Sequence, residues 1–213
     1  MYKTDWKFQS GQKRHTQDGC QLVRLMKGIG KGNRLVYAID VGCGDGIIAY
    51  DMLIHKKATK VLAIDIVSEA VKVAQQNLES YGEKAEAKKI SASTFFKNKM
   101  NWDLFHRFVI NPPFFVEGSG PVNKNKQDQL ARHDSTLSLN LWARGAKRLL
   151  KTGGELYCVF PTERLAEALC VLSQNNVEPK ELWWFKDDLR KRRFFLRAVR
   201  GARPGVIVHT EMK

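Results

Sequence analysis

A short segment of the chain combines glycines with carboxylates at a spacing that could bind a ligand. Gly42, Gly44 and Gly46 alternate with other residues in the segment 40–46, whose sequence is DVGCGDG. Alternating glycines let the backbone turn sharply and let a ligand touch the main chain. The segment follows the apolar run Leu35–Ile39, which is typical of a buried parallel strand, and it precedes a predicted helix. Open α/β sheets bind ligands at such strand-to-helix turns.

The carboxylates of this turn indicate the charge of the ligand. The dinucleotide-binding pattern is GxGxxG, whereas this turn has GxGxG, and Asp40 and Asp45 would disfavour a pyrophosphate. S-adenosylmethionine carries a sulfonium and an ammonium group, which carboxylates attract. Asp65 ends a second predicted strand about 20 residues further on, where an acid can accept hydrogen bonds from ribose hydroxyls. The alternative is a glycine-rich turn in which Asp65 only caps a helix. We predict S-adenosylmethionine as the cofactor, bound by Asp40, Gly42, Cys43, Gly44, Gly46, Asp65 and Ile66.

The tetrapeptide Asn111–Phe114, of sequence NPPF, follows the predicted strand Phe105–Ile110. Proline cannot continue a central strand, so the tetrapeptide is expected at the carboxyl edge of the sheet, beside the glycine turn. The amide oxygen of Asn111 and the carbonyl of Pro112 can accept both hydrogens of an exocyclic amine and aim its lone pair at a methyl donor. The prolines fix the backbone, and the phenylalanine offers a face for stacking a planar base. The predicted catalytic residues are Asn111, Pro112, Pro113 and Phe114.

This pairing of motifs predicts N-methylation of an amine on a planar group, with alignment supplying much of the acceleration. Adenine, the N2 amine of guanine and the side-chain amide of glutamine are all planar and all fit. A strand-ending turn with a buried phenylalanine would also give the sequence NPPF.

The elements that must position these residues alternate along the chain. Helices are predicted at Ile47–His55, from Ser68 as N-cap to Tyr81, at Leu137–Leu150 and at Pro161–Gln174. Further strands are predicted at 61–66, 88–90 and 156–160, and a hairpin is predicted from 182–185 and 194–199. The alternation predicts an α/β fold with a doubly wound, mostly parallel seven-stranded sheet and a C-terminal antiparallel hairpin. The polar stretch 116–134 is too long for an ordinary connection, so we expect a mobile functional loop there.

The charge of the chain points to a polyanionic partner. Among 213 residues, 36 Lys and Arg against 22 Asp and Glu give a formal net charge of +14, so RNA is the first partner to consider. Any single run of charges is more often a solvated face. The residues expected to bind RNA are Lys13, Arg14, Lys124, Lys126, Arg132, His133, Arg190, Lys191, Arg192 and Arg193.

Other composition features exclude several classes of protein. The four cysteines form no CxxC pair, which argues against a zinc site or a disulfide framework and favours reduced thiols in the cytoplasm. The N-terminus has no apolar signal region, and the apolar runs are too short to span a membrane. We expect a monomer without a metal.

These motifs together resemble the Rossmann-like, class I S-adenosylmethionine-dependent methyltransferases, and the chain is similar to the family that N6-methylates adenine 37 of bacterial valine tRNA. The matching positions are Phe8–Gln9, Asp18–Gly19, Asp40–Gly46, Asp65, Asn111–Phe115, Ala131–Asp134, Leu149–Gly154 and Val206–Val208. The resemblance implies a residue 1–34 segment packed on the cofactor and RNA side, with Asp18 at the cofactor, and a methyltransferase domain at 35–213. It also implies an adenine next to the anticodon as substrate.

Two positions depart from the family pattern. His106 stands where the family often has an acid, and no acid follows the third strand to hold the adenine amine of the cofactor. Ser91 or a main-chain carbonyl is expected to make that contact instead. The rival functions are guanine-N2 methylation of ribosomal RNA, glutamine N5 methylation of a protein, and RNA binding without catalysis.

Overall fold

The computed structural model describes residues 17–30, 34–111, 139–184 and 193–209. Six α-helices lie in these ranges: α1 (Gln17–Leu25), α2 (Ile47–Ile54), α3 (Ser68–Leu78), α4 (Ala92–Lys97), α5 (Leu139–Leu149) and α6 (Leu165–Gln174). Short 3₁₀ turns occupy Glu79–Lys84, Lys99–Asn101 and Thr162–Arg164. The strands are β1 (Tyr37–Val41), β2 (Lys60–Asp65), β3 (Ala85–Lys89), β4 (Phe105–Ile110), β5 (Leu150–Pro161), β6 (Val177–Trp184), β7 (Arg193–Arg200) and β8 (Ile207–His209).

The strands form one sheet in the order β3-β2-β1-β4-β5-β7-β6-β8. Strands β1 to β5 all run parallel to one another, whereas β7 is antiparallel to both β5 and β6. This confirms the predicted fold class and the C-terminal hairpin. The described sheet has eight strands rather than seven, because β8 pairs with the outer side of β6 in parallel.

Alternating side chains of the strands feed two cores, one on each face of the sheet. Ile39 of β1 packs with residues of α4, α5 and α6, including Phe96 and Trp142. Ala38 packs on the other face with α1, α2 and α3, including Met52. The strands are therefore covered on both faces, as their near-continuous apolar sequences require.

Helix α1 lies in the N-terminal segment, for which no helix was predicted. Leu22, Val23 and Met26 are buried against α2 and the sheet. At the end of the helix, the backbone N–H of Lys27 donates a hydrogen bond to the hydroxyl of Tyr157 on β5, at 3.4 Å. α1 thus packs into the common core, and the division of the chain at residue 34 stays a prediction.

Two local predictions need correction. Ser68 is the first helical residue of α3, and Val67 occupies the N-cap position without a side-chain hydrogen bond. β5 begins at Leu150, six residues before the predicted start at Leu156, because Leu150 already pairs with Phe105 of β4; the register then shifts before Glu155, and Gly153 has a φ of 78° in this irregular stretch. The predicted loop at 116–134 lies outside the described residues.

Candidate active site

The glycine turn joins β1 to α2 and is tied to the end of β2. The backbone N–H groups of Gly42 and Cys43 both donate to the carbonyl of Ile64, at 2.9 and 3.0 Å. The N–H of Gly46 donates to the carbonyl of Cys43 at 2.9 Å, which closes the turn before α2 begins. Main-chain hydrogen bonds therefore fix the turn against the end of β2.

Gly42 and Gly46 are suited to glycine for different structural reasons. Gly42 has a φ of 72°, and a Cβ atom there would meet no atom within 4 Å, so this part of the turn borders open space. Gly46 has a φ of 84°, and its Cβ would lie 3.1 Å from the Cβ of Ala74 on α3. Gly46 thus serves close packing of two helices, whereas Gly42 leaves the backbone accessible to a ligand.

Asp65 holds the carboxyl end of β2 against the glycine turn. Its Oδ2 accepts a hydrogen bond from the N–H of Gly44 at 3.0 Å, and its Oδ1 accepts one from the N–H of Val67 at 2.9 Å. Each carboxylate oxygen can accept a second hydrogen bond. The cap-like bond to Val67 and a ligand-binding role are therefore compatible in one carboxylate.

Asp40 is fully buried beneath the turn. Neither of its carboxylate oxygens reaches a hydrogen bond of standard geometry with the described residues. The pKa of Asp40 is raised to about 8, mainly by burial; the backbone N–H of Ala49 acts in the opposite direction, and the charges of Asp65 and Asp45 add to the rise. A cationic ligand above the turn would favour the charged form of this carboxyl.

Asn111 lies beside the glycine turn. β1 and β4 are parallel neighbours in which Val41 pairs with Ile110. Gly42 and Asn111 each follow one of these paired residues, and adjacent strands lie about 4.8 Å apart. The Nδ2 atom of Asn111 is also 3.7 Å from the position that a Cβ on Gly19 of α1 would occupy. The structure therefore brings the first residue of the NPPF tetrapeptide to the edge where the glycine turn lies.

Asp18 and Arg193, which the sequence predicts at the cofactor and at RNA respectively, form an ion pair with each other. Asp18 is in the first turn of α1 and is buried, and Arg193 begins β7 opposite Pro161 at the end of β5. The pair joins two elements at the carboxyl edge of the parallel strands. No local pattern could have predicted it, because the two residues are 175 positions apart.

The remaining predicted residues in the described ranges have clear structural settings. The hydroxyl of Ser91 caps α4 by accepting from the N–H of Thr94 at 3.2 Å. Ile66 follows Asp65 and is half-buried. Cys43 is buried, and burial followed by the neighbouring carboxylates raises the pKa of its thiol well above the usual range, so its contribution at the turn is its backbone.

His106 is placed far from Asn111, near the other end of β4. Its Nδ1 accepts a hydrogen bond from the backbone N–H of Tyr37 at 3.1 Å. The departure from the family at this position therefore lies at the amino end of the strand, and it leaves the site itself unchanged.

Several predicted residues lie outside the described residues. They are Pro112, Pro113, Phe114, Lys13, Arg14, Lys124, Lys126, Arg132, His133, Arg190, Lys191 and Arg192. Within the described ranges, no group of three or more His, Cys, Asp or Glu side chains could hold a metal ion. No helix in these ranges is long and apolar enough to cross a membrane. All four cysteines fall in them and none forms a disulfide.

The strand order, the glycine turn after β1 and the acid at the end of β2 together define a class I methyltransferase fold. Solved structures with this fold include a predicted O-methyltransferase from Agrobacterium tumefaciens, with a TM-score of 0.66, 16% identity and coverage of 90% of this chain and 84% of that one. A putative RNA methyltransferase from Pyrococcus horikoshii has a TM-score of 0.56 and 15% identity, and the alignment covers 86% of this chain and 96% of that one.

Sequence comparison gives the family. The chain belongs to the methyltransferase small domain family, whose model matches residues 22–178. A tRNA1(Val) (adenine(37)-N6)-methyltransferase from Parabacteroides distasonis is 30% identical over 145 residues, which cover 66% of this chain and 58% of that protein. One of the same name from Haemophilus influenzae is 28% identical over 176 residues, covering 77% of this chain and 74% of that protein. The chain therefore spans less than two thirds of the first of these relatives.

Proposed function

We propose that this chain transfers a methyl group from S-adenosylmethionine to the N6 amine of an adenine in a structured RNA, in the cytoplasm. The favoured target is adenine 37 in the anticodon loop of a valine tRNA. The observation that carries the proposal is the register of β1 and β4, which sets Asn111 beside the glycine turn. The similarity to relatives that are named tRNA1(Val) adenine-37 methyltransferases supports the choice of base and RNA.

The residues of the turn fit S-adenosylmethionine. The open space at Gly42 allows a ligand to contact the main chain, and Asp40 lies buried below it. Asp65 is held by two backbone N–H groups and keeps capacity for the ribose hydroxyls. In a chain of net charge +14, the carboxyl groups at this turn favour a cationic ligand over a phosphate, since a nearby cation also favours the ionised form of Asp40. The cofactor would supply an electrophilic methyl group bound to a sulfonium.

Asn111 would act on the amine that receives the methyl group. The lone pair of an adenine amine is delocalised into the ring, so the amine is a poor nucleophile. Accepting hydrogen bonds from both N–H groups, with the Asn111 amide oxygen and the Pro112 carbonyl, would favour a pyramidal nitrogen. The acceleration then comes from alignment and from fixed acceptors, and it needs no strong general base.

The geometry of the methyl transfer favours an unpaired adenine. The reacting amine must meet the methyl group in line, so the base has to leave its stack. A base in a loop is less costly to extract than a paired one, which fits an anticodon loop.

The test is methylation of fractionated RNA with a labelled methyl donor, followed by digestion to nucleosides and mapping of the labelled position. We expect N6-methyladenosine at position 37 of valine tRNA. Labelled N2-methylguanosine, or label only in protein glutamine, would refute the assignment. Binding of RNA without any heat of S-adenosylmethionine binding would favour a non-catalytic RNA-binding protein.

A variant pair tests the role of Asn111. We expect Asn111→Ala to lower turnover by about 10²-fold or more, as the loss of a fixed hydrogen-bonding group in a transition state does, with cofactor binding by calorimetry unchanged. Asn101→Ala is the control, since its amide donates only to the carbonyl of Phe95, at 3.0 Å, away from the turn. Near-normal methylation by Asn111→Ala would contradict the role.

A further inference from the structure

A cationic groove lies at the edge of the sheet opposite the glycine turn. It encloses about 430 Å³, and its charged and aromatic lining is formed by Trp102, Asp103, Arg144, Lys147, Arg148 and Arg200, which we call the basic groove. The backbone N–H of Asp103 donates to the carbonyl of Arg148 at 2.8 Å, so α5 ends where the chain enters β4. Asn111 follows the far end of β4, and a six-residue strand is about 20 Å long.

The groove has uncompensated positive charge. Arg200 pairs with Asp103 and also donates to the carbonyl of Leu150. The side chains of Arg144, Lys147 and Arg148 form no ion pair with any residue in the described ranges, and Arg144 and Lys147 are exposed to solvent. Three cations therefore face one cleft whose single lining carboxylate, that of Asp103, is already paired with Arg200.

These cations share one face of α5, since they stand at i, i+3 and i+4. Lys147 and Arg148 are in the last turn, where cations also favour the helix dipole. Arg144 lies one turn earlier, where that effect has faded, so the dipole does not account for the whole cluster.

Trp102 orients one of the cations. The Arg148 guanidinium lies 5.3 Å from the centroid of the Trp102 ring. The indole N–H donates to the carbonyl of Phe96 at 3.1 Å, which fixes the ring against α4. A guanidinium held on an aromatic face loses less freedom when it binds a phosphate, because it is already ordered.

The positive potential extends along this edge beyond the groove. Burial lowers the pKa of His106 at the start of β4, and Lys151, Arg34 and Arg107 lower it further. These cations come from the segment before β1, from β4 and from the start of β5. Within the described ranges, the glycine turn at the other edge is bordered by the carboxyl groups of Asp40, Asp45 and Asp65 instead.

We propose that the basic groove binds the phosphate backbone of the RNA substrate at a site remote from the methylated base. The groove sets Arg144, Lys147 and Arg148 along one face of α5, so that more than one phosphate of a strand can be contacted there, whereas a single small anion would use only part of this set. The identity of the RNA rests on the proposed function, whereas the binding of RNA at the groove does not. A folded RNA longer than the sheet would contact both edges, and the remote contact would fix its orientation.

The test compares two double charge reversals with the same net charge. Arg144→Glu with Lys147→Glu changes the groove. Lys72→Glu with Lys84→Glu changes two exposed lysines, one on α3 and one in the turn that follows it. They lie near β3, the first strand in the order of the sheet, away from the groove. Binding of unfractionated tRNA is measured by fluorescence anisotropy between about 50 and 200 mM salt. Thermal unfolding of each variant checks the fold, and Arg144→Gln with Lys147→Gln removes the charges without adding acids.

We expect the groove reversal to weaken tRNA binding about tenfold or more and to reduce the salt slope by about two, as the loss of two phosphate contacts predicts. The control should change affinity by less than about threefold and leave the slope within about 0.5 of wild type. In the methylation assay, KM for full-length tRNA should rise with kcat unchanged.

Equal weakening by both double variants would overturn the proposal, because it would show attraction by net charge alone. The proposal would also be overturned if one inorganic phosphate displaced one tRNA at constant ionic strength, because the groove would then be a site for a single anion. Unchanged tRNA binding by the groove variants would exclude RNA as the partner. If wild type binds no S-adenosylmethionine but the groove variants still lose tRNA, the proposed function fails and the groove inference stands.

Discussion

Replacing Asp40 by Asn should change how the stability of the protein depends on pH. The Asp40 carboxyl is fully buried, and burial, followed by the charges of Asp65 and Asp45, raises its pKa from 3.8 to about 8. The asparagine side chain has nearly the same shape but does not titrate. Its unpaired amide changes the absolute stability, and so the prediction concerns the slope against pH.

The sign and size follow from the pKa values. Between pH 3.8 and about 8 the native protein holds a proton on Asp40 that the unfolded chain has released. The free energy of unfolding therefore falls as pH rises through this interval, by up to about 1.4 kcal/mol per pH unit. The full interval corresponds to about 6 kcal/mol, and the fall ends once the native carboxyl is ionised.

Another titrating group acts in the opposite direction. The pKa of His106 is lowered by burial and by neighbouring cations from its ordinary 6.5, so its contribution to stability rises with pH up to that value. His106 is present in both proteins, and the difference between wild type and Asp40→Asn cancels it.

The assay is urea unfolding of both proteins at steps from about pH 5 to 9, since urea leaves the ionic strength constant. The stability of wild type relative to Asp40→Asn should fall by about 1 kcal/mol per pH unit up to about pH 8 and then level. If the difference in free energy of unfolding between wild type and Asp40→Asn stayed constant to about 0.5 kcal/mol between pH 5 and 8, the protonated state of the buried Asp40 would be refuted.

The same carboxyl links cofactor binding to pH. A cation over the turn favours ionised Asp40, so binding near pH 7 should release about one proton. Calorimetry in two buffers of different ionisation enthalpy measures that proton. Wild type should release it and Asp40→Asn should not, and equal proton release by the two proteins would show that the group responsible is elsewhere.

Three further substitutions have expected outcomes. Gly145→Ala should destabilise the protein by about 1–2 kcal/mol in urea unfolding, because its Cβ would lie 2.5 Å from the buried Phe96 ring and overpacking outweighs the gain in helix propensity. Gly28→Ala is the control, since its Cβ would have no atom within 4 Å. Equal effects of the two substitutions would contradict the steric argument. Asp65→Asn should lower the free energy of unfolding by about 1–3 kcal/mol and weaken cofactor binding, since the oxygen of an amide can accept only one of the two backbone N–H bonds. Wild-type cofactor affinity in calorimetry would exclude a role for the second carboxylate oxygen. Arg197→Met should cost about 1–3 kcal/mol in urea unfolding, because it removes one partner from each of the largely buried carboxylates of Glu155 and Glu181, which keep Arg107 and His209 respectively. An unchanged unfolding midpoint would show that these two ion pairs contribute nothing to stability.

The parts of the fold that could be predicted from sequence are those whose ends are marked by nearby glycine, proline or polar residues. β4 ends at Ile110, as predicted, because proline follows Asn111 and removes the next ladder donor. The glycine turn is also local, since alternating glycines and a preceding apolar run determine it together. The hairpin of β6 and β7 follows from two apolar runs around a polar turn.

The parts that could not be predicted depend on contacts between distant segments. Helix α1 has only nine residues and contains a glycine, so local propensity alone does not stabilise it, and its stability comes from packing on α2 and β5. Strand β8 has three residues, and Ile207 is 61% exposed, so only its pairing with β6 identifies it as a strand. The ion pair of Asp18 with Arg193 joins α1 to β7 and has no sequence signal.

The unpredicted helix α1 also determines the geometry of the candidate site. A Cβ on Gly19 would lie 3.0 Å from the Cγ1 of Ile48, so a larger residue would push α1 away from α2. The same glycine borders the amide of Asn111, and its neighbour Asp18 binds Arg193. A displaced α1 would therefore disturb the surroundings of Asn111 and the start of β7 together. The site depends on the close approach of α1 as well as on the motifs that the strand ends carry.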